Sequence, residues 1–136
     1  MGITETRVNL INQDFIHRAI VPQWSLVSNS LAASTGRIWV LWNSDRVNVD
    51  ILISNPQLIH VRITSADNKV SFEASFIYAF NYGIQRVPLW VSIRSLARNM
   101  GSSPWIVLGD FNVTLFPNEI LGIDKGNAQD REDFWN

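Results

Sequence analysis

The chain contains no cysteine, which excludes disulfides and thiolate metal sites and fits an intracellular protein. Charge is also scarce: 17% of residues are Asp, Glu, Lys or Arg, against about 25% in an ordinary globular domain. A surface so poor in charge suggests that some apolar area meets a further element. Neither sign dominates, with eleven basic residues, nine of them arginine, against twelve acidic ones. No basic run stands out, so a binder that holds nucleic acid through a broad positive footprint is excluded. An enzyme that cuts nucleic acid is not excluded, because catalysis needs only local positive groups and a metal. No apolar stretch approaches the roughly 18 residues of a membrane span, and no membrane partner is expected. The opening Met1-Gly2-Ile3-Thr4-Glu5-Thr6 lacks the basic and apolar regions of a signal peptide. It does match the short, common myristoylation pattern, Gly after Met with Thr at the sixth position. Internal repeats and low-complexity segments are absent.

What is present is apolar and patterned. With 136 residues, a single domain over 1–136 is the natural count, and such a chain buries roughly 68% of its unfolded surface. Hydrophobic residues make up 46%, including six Trp and seven Phe, too many for a disordered segment. Residues 7–23 suggest a short helix over Leu10, Ile11 and Phe15, closed by Pro22. A strand over Trp24–Val27, a polar loop over Ser28–Gly36 and a strand over Arg37–Trp42 follow. From Val47 the alternation is clean: Val47, Val49, Ile51 and Ile53 share one face, Asn48 and Asp50 the other, and Leu52 breaks the polar face. Leu58–Thr64 carries Ile59, Val61 and Ile63 opposite His60 and Arg62. Val70–Tyr78 places Phe72, Ala74, Phe76 and Tyr78 in one row. Period two with short turns at Asn55-Pro56 and Asp67-Asn68 makes this an antiparallel meander.

After Asn81-Tyr82-Gly83 the period changes. Leu89, Ile93, Leu96 and Met100 are spaced as on one helix face, with Pro88 near the first turn and Gly101 past the end. A strand over Trp105–Leu108 runs into Gly109-Asp110-Phe111-Asn112, which puts a carboxylate and a carboxamide on one side of a strand tip. Strand tips are where active sites gather in open α/β layouts, and this pair suits metal-assisted phosphodiester chemistry. A polar loop through Gly122 and Gly126 and the start of a helix at Asp130–Trp135 complete the chain. Meander, crossover helix and further strand indicate an α+β layered sandwich.

Three pieces line up in order: Thr4-Glu5-Thr6-Arg7, Tyr78-Ala79-Phe80-Asn81 and Gly109-Asp110-Phe111-Asn112. In that order they resemble the endonuclease/exonuclease/phosphatase family, with its DNase I-like fold. Gly36-Arg-Ile-Trp-Val-Leu-Trp42, Arg86-x-x-Leu89-Trp90 and Pro104-Trp-Ile-Val-Leu-Gly-Asp-Phe-Asn112 look more narrowly like the endonuclease domain of plant LINE-type non-LTR retroelements. The resemblance implies an α/β, DNase I-like layered β-sandwich with flanking helices, and Mg²⁺-dependent hydrolysis of a DNA phosphodiester that primes reverse transcription. It implies Glu5 as the metal ligand, since a carboxylate is the hard oxygen donor that Mg²⁺ prefers. Tyr78 and Asn81 match the pair that contacts the scissile phosphate. Asp110 matches the aspartate that orients or deprotonates water, and Asn112 the amide that stabilises the phosphoryl oxygens. Arg86 matches a position where a phosphate contact and a structural salt bridge are equally open.

Each residue also has a plain structural reading. Glu5 can be solvated surface, Tyr78 core, Asn81 and Asn112 turn residues, and Asp110 a turn cap. His17 and His60 lie outside the family motifs and read as structural or surface residues. Against the family pattern, the strand ending in Asn ahead of the glutamate is missing, as is the C-terminal half with its Ser-Asp-His sequence. The expectation is a single incomplete domain, truncated at both ends and inactive alone, since losing one general base costs about 10²–10⁴-fold. The alternative is a non-enzymatic interaction module that pairs, or self-associates, through an exposed sheet edge.

Overall fold

A computed structural model describes residues 1–30 and 37–113. The loop residues up to Gly36, the Gly122 and Gly126 loop and the helix start at Asp130–Trp135 lie outside the described residues. The chain divides into two compact units, Met1–Tyr78 with Ser102–Asp110, and Ala79–Gly101 with the chain from Phe111.

The first unit holds two sheets. In one, β1 (Gly2–Thr4) and β2 (Ser25–Ser28) flank β3 (Ile38–Trp42), both antiparallel to it. The other runs β4 (Val47–Asn55), β5 (Leu58–Ser65), β6 (Ser71–Tyr78) and β7 (Trp105–Asp110). β4, β5 and β6 form the antiparallel meander that period two predicts, and β7 joins β6 in parallel. The core lies between the sheets. Ile38 and Val40 of β3 meet Ile59 and Val61 of β5 and Ala74, Phe76 and Tyr78 of β6. These are the alternate residues of each strand, so one face of each sheet supplies the whole cluster. Glycine at position 2 has a steric reason, because a Cβ there would overlap the Phe76 ring.

Several expectations change in detail. β1 was not anticipated, since its three residues are too few to show a period. The alternation of β4 breaks at a bulge between Ile51 and Ile53, which is the register answer to Leu52. The first helix, α1 (Leu10–Ile20), forms where expected, but Leu10, Ile11 and Phe15 are exposed rather than buried. β7 continues two residues beyond Leu108, so Gly109 and Asp110 belong to the strand itself.

In the second unit α2 spans Gly83–Asn99, and Leu89 is buried with Ile93 and Leu96 half-buried, as the spacing requires. Its start lies earlier than the sequence suggests. Pro88 therefore sits inside the helix rather than in its first turn, at the loss of one helical N–H···O bond. Trp90 stacks on Phe111 with ring centroids 6.1 Å apart and planes 7° from parallel. Gly101 follows the helix at φ +62°, a conformation glycine adopts without strain. Among the described residues, no helix is long and apolar enough to cross a membrane.

Candidate functional site

Strand direction gathers one set of residues at a single rim of the sandwich. β1 ends at Thr4, so Glu5 leaves its tip, and the Thr6 N–H donates to the Arg37 carbonyl at 3.3 Å, just where β3 begins. β6 and β7 run parallel and end together, with Tyr78 and Asp110 as register partners. The Tyr78 N–H donates to the Gln57 carbonyl at 3.1 Å, ahead of β5. Across the sheets, the Arg37 guanidinium lies 5.4 Å from the centre of the Tyr78 ring and reaches its hydroxyl at 3.5 Å. Glu5, Arg37, Tyr78 and Asp110 therefore share this rim.

Asn29 fastens it. This fully buried residue follows β2, and its amide nitrogen donates to the carbonyls of Asn55 (3.1 Å) and Pro56 (3.0 Å) in the β4–β5 turn. Its oxygen accepts the N–H groups of Arg37 (2.9 Å) and Ile38 (3.0 Å). All four hydrogen-bonding positions of the amide are used, and they tie one sheet to the other. Sequence reading placed Asn29 in a polar loop and missed it, because a capping amide and a solvated one look alike.

Gly109 is fixed by the same close packing. It sits at φ +139°, and a Cβ would lie 2.0 Å from the Ile77 carbonyl oxygen of β6. Only glycine lets the two backbones meet there. The pleat stops at Asp110: Asn112 takes φ +50°, so the rule that residues two apart share a strand face does not extend to it. The expected same-side pair is replaced by an exposed carboxylate on the strand end and an amide turned within the second unit.

In that unit, Asn112 donates through Nδ2 to the Ala79 carbonyl. Arg86 is buried and donates through Nη1 to the carbonyls of Phe80 (2.8 Å) and Asn81 (2.7 Å). Both side chains thus bracket the short segment 79–81, and Asn81 itself is exposed. Glu5, 47% exposed, accepts a hydrogen bond from the exposed Arg7, and both take positive φ, +57° and +49°. Non-glycine residues in that region are uncommon, and such strain clusters at functional sites. Among the described residues no group of three or more His, Asp or Glu gathers as a metal cage.

A second polar group lies on the opposite face of β5 and β6. His60 contacts the Glu73 carboxylate through Nε2 at 2.9 Å and the Ser75 hydroxyl through Nδ1 at 2.8 Å. Trp105 Nε1–H donates to the same hydroxyl at 2.9 Å, and Arg62 donates to Glu73 at 2.9 Å. Burial pushes the Glu73 pKa up, but the Arg62 and His60 bonds outweigh it, and the carboxyl is held below its ordinary range. An ionised Glu73 only accepts, so His60 Nε2 carries its proton. His60 and Ser75 are closed to solvent; this network is structural, as expected for His60. His17 is structural too, donating through Nε2 to the Trp24 carbonyl at 2.6 Å.

The two sheets, the crossover helix and the parallel β7 define a mixed α+β architecture, the DNase I-like fold. Two solved structures of D. rerio TDP2 carry the likeness. The chain is similar to a humanised form with 14 mutations at TM-score 0.56 and 10% identity, over 83% of this chain and 52% of that one. A form complexed with single-strand DNA product aligns at TM-score 0.54 and 10% identity, over 83% and 47%. The chain thus spans about half the length of these structures. No protein-family model and no curated protein matches the sequence.

Proposed function

We propose that this chain carries part of a metal-dependent phosphodiesterase site of the kind that nicks a DNA backbone, inherited from the endonuclease of a plant LINE-type retroelement. One observation carries the reading: Glu5, Tyr78 and Asp110, the residues the family motifs single out in the first unit, lie at the ends of β1, β6 and β7, on one rim. The single-strand DNA product held by a TDP2 structure of the same fold supports DNA as the substrate class.

Glu5 fits a magnesium ligand. Its carboxylate is solvent-accessible and, among the described residues, paired only with a surface arginine, an interaction worth about 0–1 kcal/mol and readily exchanged. Mg²⁺ needs no more than one or two carboxylates and completes its shell with water. Bound there, the ion would supply positive charge against the scissile phosphate. Asp110, exposed at the strand end, orients the attacking water and takes its proton. Tyr78 presents its hydroxyl toward the phosphate with Arg37 against its ring. The other residues of the family motifs, Asn81, Asn112 and Arg86, belong to the second unit, where Asn112 and Arg86 hold the segment 79–81 in shape.

Alone, the chain is inactive on this reading, because the family's Ser-Asp-His half has no counterpart among its residues. Purified protein should therefore leave supercoiled plasmid intact with Mg²⁺ present. Metal-dependent nicking that Asp110→Ala abolishes would contradict the inactivity and support the site.

A second reading has its own observation. β7 ends the described sheet with Ile106, Val107 and Leu108 all exposed, an apolar edge that invites pairing. On this reading the chain self-associates through β7. A defined dimer in size-exclusion chromatography that Val107→Lys dissolves would favour it; a monomer would dismiss it.

A further inference from the structure

At the opposite rim of the sandwich lies an open pocket of about 460 Å³, lined by Met1, Trp24, Trp42, Asn43, Arg46 and Val47. Its walls are fixed by backbone hydrogen bonds. Trp42 closes β3 and leans on the core cluster. Trp24 is held on both sides: its N–H donates to the Val21 carbonyl at 3.1 Å, and its carbonyl accepts from His17. Arg46 ends the turn that Asn43 organises, with the Arg46 N–H on the Asn43 carbonyl at 3.0 Å and the Ala66 N–H on the Arg46 carbonyl at 2.9 Å. Its guanidinium is exposed and has no ion-pair or hydrogen-bond partner among the described residues. Among the described residues no carboxylate lines the pocket; Asp45, its neighbour in the turn, points its N–H to the Asn43 side chain and is not part of the wall.

Two half-buried indoles and one uncommitted cation in a cavity of small-ligand size suit a flat aromatic ring that carries a negative charge. We infer that this pocket binds a nucleotide, its base against the indoles of Trp24 and Trp42 and its phosphate at the Arg46 guanidinium. Every base has a π-face, so stacking on indole is sequence-tolerant. Arg46 supplies the charge that distinguishes a nucleotide from a nucleoside. The site is separate from the Glu5–Asp110 rim and needs no metal.

The test is titration of the ¹⁵N-labelled chain in EDTA with thymidine monophosphate, thymidine and inorganic phosphate in separate arms, read on the indole N–H signals of its six tryptophans. Two signals should shift with thymidine monophosphate, those missing from Trp24→Leu and Trp42→Leu. Trp24→Leu should weaken binding about tenfold. Arg46→Gln should weaken the nucleotide about threefold and leave the weaker nucleoside binding unchanged. If Trp42→Leu loses the folded spectrum, Trp24→Leu and the surface change Arg46→Gln decide the matter. The inference is overturned if no indole shifts at millimolar nucleotide, if phosphate alone shifts the same signals, or if Arg46→Gln affects nucleotide and nucleoside alike. Since neither metal nor turnover is involved, these outcomes are independent of the phosphodiesterase reading.

Discussion

The two rims of the sandwich differ in how their polar groups are used. At the Glu5–Asp110 rim, buried donors and acceptors are matched with one another: Asn29 uses its whole amide, and Arg37 lies on Tyr78. At the Trp24–Trp42 rim the backbone is equally fixed, yet the side chains leave apolar walls and a lone guanidinium. β3 runs from one to the other, and Arg37, just before it, and Trp42, at its end, lie roughly 17 Å apart at about 3.3 Å per residue. One rim carries two exposed carboxylates, Glu5 and Asp110; the other offers a surface. Rigid backbone is common to both, so rigidity alone does not mark a site. What the side chains leave uncommitted does.

Substitutions separate the rims by size of effect. Asn29→Ala should be the most damaging, because it strands two half-buried carbonyls and two N–H groups; a loss of about 3 kcal/mol or more in urea denaturation is expected. A loss below about 1 kcal/mol would mean that water replaces the amide. Gly109→Ala comes next, at about 2–3 kcal/mol, since β6 and β7 must separate to admit a methyl group. Its signature is weakened amide protection in β7 with β4 and β5 spared; uniform loss would contradict a local origin.

Glu73→Gln, on the outer face of β5 and β6, should cost about 2 kcal/mol at neutral pH. The pH profile gives its sign. Folding lowers the Glu73 pKa, so its contribution is present above the unfolded carboxylate pKa and is lost as pH falls through the folded value. The wild-type chain should lose this increment on acidification and the variant should not, so parallel acid profiles would refute the assignment. Arg46→Gln, at the open rim, should change stability by no more than about 0.5 kcal/mol, because that guanidinium has no partner among the described residues.

Much of the fold was legible in the sequence. Period two in Leu58–Thr64 and Val70–Tyr78 identified the inner residues Ile59, Val61, Ala74 and Phe76, and these make the core. The same period said that His60 and Ser75 face the other way, but not that this face is closed. Alternation reports side, not cover. Burial of His60 depends on Trp105, thirty residues beyond Ser75 in sequence, and no local pattern carries that. In the same way, Gly109 was legible as part of a motif, while its cause, a parallel neighbour's carbonyl, is non-local. Family motifs named Glu5, Tyr78 and Asp110; only the strand directions put them at one rim. Asn112 shows the opposite failure, because a strand rule was extended two residues past the end of β7.

The central proposal is that Glu5 gives this rim, which Asp110 shares, a metal-binding carboxylate. Paramagnetic Mn²⁺, as a substitute for Mg²⁺, tests it most directly through line broadening in the ¹H–¹⁵N spectrum. Amide signals next to Glu5 and Asp110 should broaden first, and Glu5→Gln should remove the effect without moving the signals of Trp24 or Arg46. Broadening confined to other regions, or unchanged in Glu5→Gln, would contradict the account.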